Sequence, residues 1–203
     1  MLNKDLIFDV GMHKGEDTDF YLSKGFKVVA FEADPDLIKK SKNRFKKKIE
    51  NGDLVIVEGA IVDRNFDKKI KFYKNKLNSV WGTVLKEWAE RNKAEGAESE
   101  CIEVDAINFK ECLIKFGIPY YLKIDIEGMD IVCCEALLSL EQRPNYISIE
   151  SEKVSFKRLE TELDLFEKLG YKDFKIIQQD NINRQKENKP IGENITINYK
   201  PHT

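Results

Sequence analysis

A glycine turn and a single carboxylate carry the strongest chemical signal in the chain. The segment Asp9–Gly15 (DVGMHKG) follows a short apolar run, and Glu32 ends the next apolar run, 21 residues after Gly11. Glycines let the backbone turn sharply and let a ligand lie against it. A carboxylate at the tip of the second strand can accept hydrogen bonds from both hydroxyls of a ribose. The glycines alone also fit a plain tight turn, but with Asp9 and Glu32 they predict a site for a cofactor that contains adenosine.

The charges around this turn discriminate between cofactors. A dinucleotide site holds its phosphates at a helix N-terminus, because the free amides and the helix dipole favour an anion there. Here Asp9 replaces the first glycine of the G-x-G-x-x-G pattern, and Glu16 and Asp17 begin the next helix. The P-loop pattern also fails, since no Gly-Lys-Ser/Thr sequence follows Gly11 at the required spacing. S-adenosylmethionine contains adenosine without phosphate and carries a cationic ammonium and sulfonium, so an acidic turn favours it.

Alternating apolar runs and helical patterns predict the elements that position these residues. Strand, helix, strand, helix and strand follow one another between residues 6 and 57, which is typical of a parallel α/β sheet with right-handed crossovers. Strands are predicted at Leu6–Val10, Lys27–Phe31, Leu54–Val57, Tyr120–Asp125, Tyr146–Ile149, Phe174–Ile177 and Asn194–Ile197. Helices are predicted at Glu16–Lys24, after a cap at Asp34 with Pro35 in the first position, and at Phe109–Phe116, Met129–Leu140 and Leu159–Leu169.

The segment 63–105 interrupts this alternation. It contains two further strand patterns, Lys69–Tyr73 and Cys101–Val104, with a helical pattern at Val84–Asn92 between them. We interpret it as an inserted β/α segment over the sheet and the chain 1–203 as a single domain. The polar, aperiodic stretch Gln178–Glu193 predicts a mobile loop.

Four segments resemble, in the same order, the FkbM-type family of class I S-adenosylmethionine-dependent methyltransferases. They are Asp9–Gly11 with Gly15 and Thr18, Val29–Pro35, Ile102–Asp105, and Leu122–Asp130 followed by Ile149 and Glu150. The resemblance implies the class I methyltransferase fold, a doubly wound, Rossmann-like, seven-stranded sheet whose last strand is antiparallel. It also implies O-methylation of a hydroxyl on a saccharide or a small natural product.

The resemblance also implies roles for individual cofactor-binding residues. Asp9, Gly11 and Gly15 correspond to the family's methionine-binding turn, and Glu32 corresponds to its ribose-binding acid. A set of small or apolar residues follows the third strand, where such folds shelter the adenine ring. These residues are Gly59, Ala60 and Ile61. The alternative for Ala60 and Ile61 is that they continue the core.

A row of charged residues on an apolar strand provides the candidates for catalysis. Lys123, Asp125 and Glu127 alternate, so at the period of a strand they share one side. We predict that Asp125 or Glu127 orients and deprotonates the acceptor hydroxyl, helped by Glu150 on the adjoining strand. The alternative is an ion pair from Lys123 that stabilises the sheet. His13 is a further candidate base, although a histidine in such a loop is commonly packed or solvated.

Composition limits the other partners. The chain has 34 basic and 36 acidic residues, for a net charge of −2, which argues against a nucleic-acid-binding protein. No apolar run approaches the length of a membrane span, so we expect a soluble, cytoplasmic protein with no membrane partner. The four cysteines lack C-x-x-C spacing and the chain has two histidines, which predicts buried thiols and no metal site. The alternative is a divalent metal ion bound by the oxygens of Asp125, Glu127 and Asp130, although nothing in their spacing requires it. The expected partner is a small-molecule or saccharide acceptor, and the oligomeric state is not predicted.

Two other functions remain open at this point. An NAD-dependent oxidoreductase would use the same sheet, although the acidic start of the first helix disfavours it. A non-catalytic S-adenosylmethionine-binding module would bind the cofactor without turnover.

Overall fold

Eight strands are present in the part of the chain that the structure describes. The structure is a computed structural model and describes residues 2–63, 68–151 and 155–177. The strands are β1 (Leu2–Val10), β2 (Lys27–Glu32), β3 (Leu54–Glu58), β4 (Ala60–Val62), β5 (Lys69–Asn75), β6 (Ser99–Asn108), β7 (Ile118–Ile124) and β8 (Tyr146–Ser148). Five of them form one sheet in the order β3-β2-β1-β7-β8, and all four pairings in it are parallel. The predicted parallel α/β sheet is therefore confirmed.

Seven α-helices connect or flank the strands in the described residues. They are α1 (Glu16–Ser23), α2 (Pro35–Arg44), α3 (Lys46–Glu50), α4 (Lys86–Ala94), α5 (Phe109–Phe116), α6 (Asp130–Leu137) and α7 (Phe156–Lys168). Asp34 caps α2, since its carboxylate accepts a hydrogen bond from the backbone N–H of Asp36 at 2.8 Å. Pro35 occupies the first helical position, where its missing N–H has no cost. This start of a helix is the one that the sequence predicts.

Helices cover both faces of the central sheet. Successive side chains of a strand point to opposite faces, so Ala30 and Phe31 of β2 define the two sides. Ala30 belongs to a buried cluster with Leu22 of α1 and Phe45, which lies between α2 and α3. Phe31 contacts Phe109 of α5, with ring centroids 5.5 Å apart. The sheet is therefore doubly wound, as the sequence predicts.

The strand order places a crevice between β1 and β7. After β1 the chain continues to β2 and β3 on one side, and it later returns to β7 and β8 on the other side. Open α/β sheets bind ligands where the strand order reverses in this way, outside the carboxyl ends of the strands. The last bond of the β1–β7 ladder runs from the N–H of Asp125 to the carbonyl of Val10 at 2.9 Å.

A second, smaller sheet has the order β4-β6-β5. β4 pairs with β6 in parallel, and β5 pairs with β6 in antiparallel orientation. The segment 63–105 supplies β5, α4 and most of β6, close to the positions predicted for them. Thr83 connects this segment to the central sheet, because its buried hydroxyl donates a hydrogen bond to the carbonyl of Glu127 at 2.9 Å.

One prediction made from the sequence is wrong and another is not confirmed. Phe174–Ile177 forms no strand with any other described residue, and the last predicted strand, with which it could pair, lies outside the described residues. An apolar pattern becomes a strand only where another strand supplies ladder partners. Cys101 is exposed, because β6 alternates and turns this side chain away from the buried Val104.

Other expectations lie beyond what the structure tests. The strand Asn194–Ile197 and the loop Gln178–Glu193 fall outside the described residues, so the count of seven strands stays a prediction. The chain divides into two units, Met1–Gly170 and Tyr171–Thr203, and the central sheet belongs to the first. Among the helices of the described residues, none combines the length and the apolar character needed to cross a membrane.

Candidate functional site

The turn after β1 lies directly against the end of β7. Gly11 has a φ of +83°, and a Cβ atom built on it would lie 2.0 Å from the carbonyl oxygen of Asp125. The N–H groups of Gly11 and Met12 both donate to the carbonyl of Phe31 in β2, at 3.2 and 2.9 Å. Glycine is required at position 11 for two reasons, the left-handed backbone and the close approach of another chain.

Two of the predicted cofactor residues, Asp9 and Gly15, lie behind the turn. Asp9 has no exposed surface, accepts a hydrogen bond from the hydroxyl of Thr18 at 2.6 Å and lies 3.2 Å from the ammonium of Lys123. Burial raises the pKa of Asp9, and Lys123 and Thr18 offset part of that effect. Gly15 has a φ of +80° and faces the ring of Phe45. Neither residue lines the cleft, so both act on the shape of the turn.

Glu32 is held in place by the backbone around it. Its carboxylate accepts hydrogen bonds from the N–H groups of His13, Ala33 and Asp34, at 2.8, 2.8 and 2.9 Å. Burial raises the pKa of Glu32 to about 7, although these three donors lower it in part. The Oε1 atom already accepts two of these bonds and the Oε2 atom accepts one, so Oε2 has the remaining capacity to accept from a hydroxyl of a ligand.

A cleft opens at the carboxyl ends of β1, β2 and β7. Its cavity volume is about 110 Å³, which is smaller than the usual small-molecule site, and the cleft is partly open to solvent. Eight residues predicted from the sequence line it. They are Gly11, His13, Glu32, Gly59, Ala60, Ile61, Asp125 and Glu127. The structure therefore brings most of the predicted cofactor and catalytic residues together.

One end of the cleft is apolar. Ala60 forms a buried cluster with Phe72 and Val104, and Ala33 and Val84 pack against it. Ala60 and Ile61 are buried, at 6% and 4% exposure, and they also line the cleft. They therefore belong to the core, and their role in sheltering an adenine ring stays a prediction.

Gly59 permits this arrangement. It has a φ of +135°, and a Cβ atom there would lie 2.3 Å from the carbonyl oxygen of Asp105. The turn can therefore lead directly from β3 into the second sheet.

The other end of the cleft is acidic. The pKa of Glu127 is raised to about 7, first by burial and then by the negative charges of Glu150 and Asp125, and Arg91 offsets part of this. The pKa of Asp130 is raised to about 6, again mainly by burial. At neutral pH Glu127 is therefore only partly ionised.

Glu150, the third predicted acid, is exposed and does not line the cleft, so it influences Glu127 through its charge.

Within the described residues, no group of three or more histidine, cysteine or acidic side chains is arranged to hold a metal ion.

His13 joins the turn to the segment 63–105. Its backbone is left-handed, with a φ of 53°, which is uncommon for a residue with a side chain. Its Nε2 atom lies 2.7 Å from the hydroxyl of Ser79, and its Nδ1 atom lies 3.8 Å from a carboxylate oxygen of Glu16.

Six residues of the segment 63–105 line the cleft in addition to the predicted site residues. They are Phe72, Ser79, Val80, Gly82, Thr83 and Val84. These residues form no motif with a recognised spacing, so only the tertiary structure identifies them.

The start of α1 is acidic beside the turn. Glu16, Asp17 and Asp19 all lie in its first helical turn. Asp19 is paired with Arg44 at 2.7 Å, and Asp17 lies 3.7 Å from the ammonium of Lys123. Carboxylates at this position satisfy the dipole of the helix and repel an incoming anion. The electrostatics of the turn are therefore unsuited to a phosphate, as the sequence predicts.

Comparison with known proteins agrees with this geometry. Residues 9–172 match the family model described as the methyltransferase FkbM domain. The chain is also similar to methyltransferase FkbM from Methylobacillus flagellatus KT, whose crystal structure matches with 14% identity and a TM-score of 0.47. That match covers 82% of this chain and 38% of the other, so the chain spans well under half the length of that protein. No curated protein matches the chain significantly. Since the family model extends over most of the sequence, the chain belongs to the FkbM methyltransferase domain family.

Proposed function

We propose that the protein transfers a methyl group from S-adenosylmethionine to a hydroxyl of a saccharide or a small natural product. Membership of the family supports methyl transfer, and the proposal adds the cofactor, the oxygen acceptor and the acceptor class. The observation that carries it is the cleft at the reversal point of the strand order, where a glycine turn is surrounded by carboxylates. A cationic cofactor without phosphate is the adenosine compound that these charges favour.

The residues of the cleft fit S-adenosylmethionine in three places. Glu32 is positioned at the end of β2 to accept hydrogen bonds from the ribose hydroxyls. The turn at Gly11 lines the cleft on the side proposed for the methionyl part, and the apolar end with Ala60 and Phe72 suits a flat base chemically. When bound, S-adenosylmethionine supplies a methyl group that its positively charged sulfur has already activated.

The chain's own contribution is alignment and removal of one proton. Alignment of two reactants can lower a barrier by roughly 7 to 11 kcal/mol, so a strongly activated nucleophile is not required. Asp125 and Glu127 line the cleft, and in the proposed reaction they face the acceptor hydroxyl. The pKa of Glu127 near 7 suits proton acceptance at neutral pH. Asp125, which lies 3.8 Å from the ammonium of Lys123, orients the acceptor.

We expect cofactor affinity to depend on pH through Glu32. The pKa of this carboxyl is about 7, and the ribose hydroxyls donate best to the ionised form. Below pH 7 the Glu32 carboxyl must lose a proton before it binds the ribose. The Kd for S-adenosylhomocysteine should therefore rise by up to about tenfold for each unit by which the pH falls. Above pH 8 it should be constant. Calorimetric titration between pH 5.5 and 8.5 measures this profile.

Two variants assign the profile to one residue. Glu32→Gln removes the ionisable group. This variant should bind S-adenosylhomocysteine more weakly, and its Kd should lack the pH dependence that Glu32 causes. Glu58→Gln is the matched control, because Glu58 is the register partner of Glu32 at the end of β3, and it should retain the wild-type profile. The acids Glu127 and Asp130 also titrate near the cleft. A profile unchanged in Glu32→Gln would assign the effect to them and contradict the ribose role.

The proposed activity itself is tested with S-adenosylmethionine labelled in the methyl group. The purified protein is incubated with it and a panel of monosaccharides, polyols and hydroxylated natural products, and in a separate sample with nucleic acid. We expect label in at least one of these small molecules and formation of an equal amount of S-adenosylhomocysteine. Binding of the cofactor without label transfer to any acceptor class would favour a non-catalytic binding module. Label in nucleic acid alone would contradict the acceptor class.

A further inference from the structure

A buried ammonium lies beneath the reversal point of the sheet. The side chain of Lys123 is 13% exposed, and its Nζ atom lies 3.2, 3.7 and 3.8 Å from carboxylate oxygens of Asp9, Asp17 and Asp125. Burial by itself would lower the pKa of Lys123, but these carboxylates outweigh it and the pKa is raised. The side chain is therefore charged at every pH at which the protein is used.

The same ammonium makes a contact that ion pairing does not require. Its Nζ atom donates a hydrogen bond to the backbone carbonyl of Gly11 at 2.8 Å. Gly11 follows the last ladder bond between β1 and β7, so the sheet does not fix this carbonyl. The N–H of Gly11 is fixed from β2 by the carbonyl of Phe31, and Lys123 fixes the opposite side of the same residue from β7.

Lys123 thus contacts both walls of the cleft. Gly11 and Asp125 line the cleft, whereas Asp9 lies wholly beneath it. An ion pair that only stabilised the sheet would need Asp9 alone. The contacts to Gly11 and Asp125 connect the turn of the cofactor site to the carboxylate on the acceptor side.

We propose that Lys123 is a positioning residue, which holds the Gly11 carbonyl and the Asp125 carboxylate in the geometry that cofactor binding and methyl transfer need. This inference rests on the proposed function. It differs from the ion-pair interpretation in one consequence, which is that Lys123 should affect cofactor affinity even when it is not needed to neutralise Asp9.

A single substitution of Lys123 cannot separate the two interpretations. Removing the ammonium leaves Asp9 as an uncompensated buried charge, which is strongly destabilising. The reference is therefore Asp9→Asn, in which the side chain at position 9 is neutral and can still accept the hydrogen bond from Thr18. The test variant adds Lys123→Met to this background, and the two proteins differ only at residue 123.

We expect the double variant to unfold within a few degrees of the wild-type protein, and at no lower temperature than Asp9→Asn, because a buried ion pair replaced by uncharged groups of similar volume commonly retains stability, whereas loss of one partner does not. Its Kd for S-adenosylhomocysteine should nevertheless be about 10- to 100-fold higher, the usual effect of losing a charge-assisted hydrogen bond. Its kcat for methyl transfer should also fall, since the Asp125 carboxylate loses its partner. If the double variant does not fold, Asp9→Asn with Lys123→Gln is measured in its place.

Equal affinity in the double variant and in Asp9→Asn would overturn the positioning role and leave only the ion pair. Absence of cofactor binding in the wild-type protein would instead contradict the proposed function. The two failures are therefore distinguishable.

Discussion

Replacing Gly11 with alanine should remove cofactor binding and methyl transfer together. The added Cβ atom would lie 2.0 Å from the Asp125 carbonyl oxygen, and both partners in this contact are backbone. The turn and the end of β7 must therefore move apart. A displacement of about 1 Å at a reacting centre costs on the order of 100-fold in rate, so we expect turnover to fall at least that far. Calorimetry with S-adenosylhomocysteine and a methyl-transfer assay measure the two effects.

Gly25→Ala is the matched control for this substitution. Gly25 has nearly the same backbone, with a φ of +87°, but nothing lies within 4 Å of the position of its Cβ atom. Alanine there incurs the left-handed strain alone, about 1–2 kcal/mol, and should lower the melting temperature while leaving cofactor affinity unchanged. A Gly11→Ala protein that binds S-adenosylhomocysteine as tightly as Gly25→Ala does would contradict the placement of the cofactor at this turn.

Replacing Glu127 with glutamine should lower kcat by about 10²- to 10⁴-fold, the usual contribution of a general base. The change keeps the size of the side chain and the backbone carbonyl that accepts the hydrogen bond from Thr83. Cofactor affinity should therefore change little. The pKa of Glu127 is about 7, so kcat of the wild-type protein should rise as the pH passes through 7 and then become constant. This rise should be absent from the variant.

Two further variants test whether the acid acts as described. Glu150→Gln removes a negative charge that raises the pKa of Glu127, so the rise in kcat should move to lower pH while turnover continues. Glu135→Gln, on the exposed side of α6, should behave as wild type. If Glu127→Gln retains full turnover, Glu127 is not the base.

The sequence contains enough information for the central sheet because each element there is locally determined. The apolar runs of β1, β2 and β3 end at turn residues, and Asp34 with Pro35 marks the start of α2. Phe174–Ile177 has the same kind of local pattern and still forms no strand with the described residues. Pairing depends on a partner from elsewhere in the chain, and a local pattern carries no information about that partner.

Some residues of the candidate site could likewise be predicted from local sequence, and others could not. Glu32 was predictable because a carboxylate at the tip of the second strand has a known geometry relative to the first turn. Asp9 has the right type and spacing, but its side chain points beneath the turn to Thr18 and Lys123. The walls supplied by the segment 63–105, such as Ser79, depend on how that segment folds over the cleft. The sequence pattern therefore does not specify the direction of a side chain such as Asp9 or the packing of a distant segment against the site.

The most direct test of the account is calorimetric titration of the purified wild-type protein with S-adenosylmethionine and, separately, with NAD⁺. The account predicts saturable binding of one S-adenosylmethionine per chain and no measurable binding of NAD⁺, because the carboxylates around the turn favour a cation and repel a pyrophosphate. Binding of NAD⁺ with no binding of S-adenosylmethionine would contradict it.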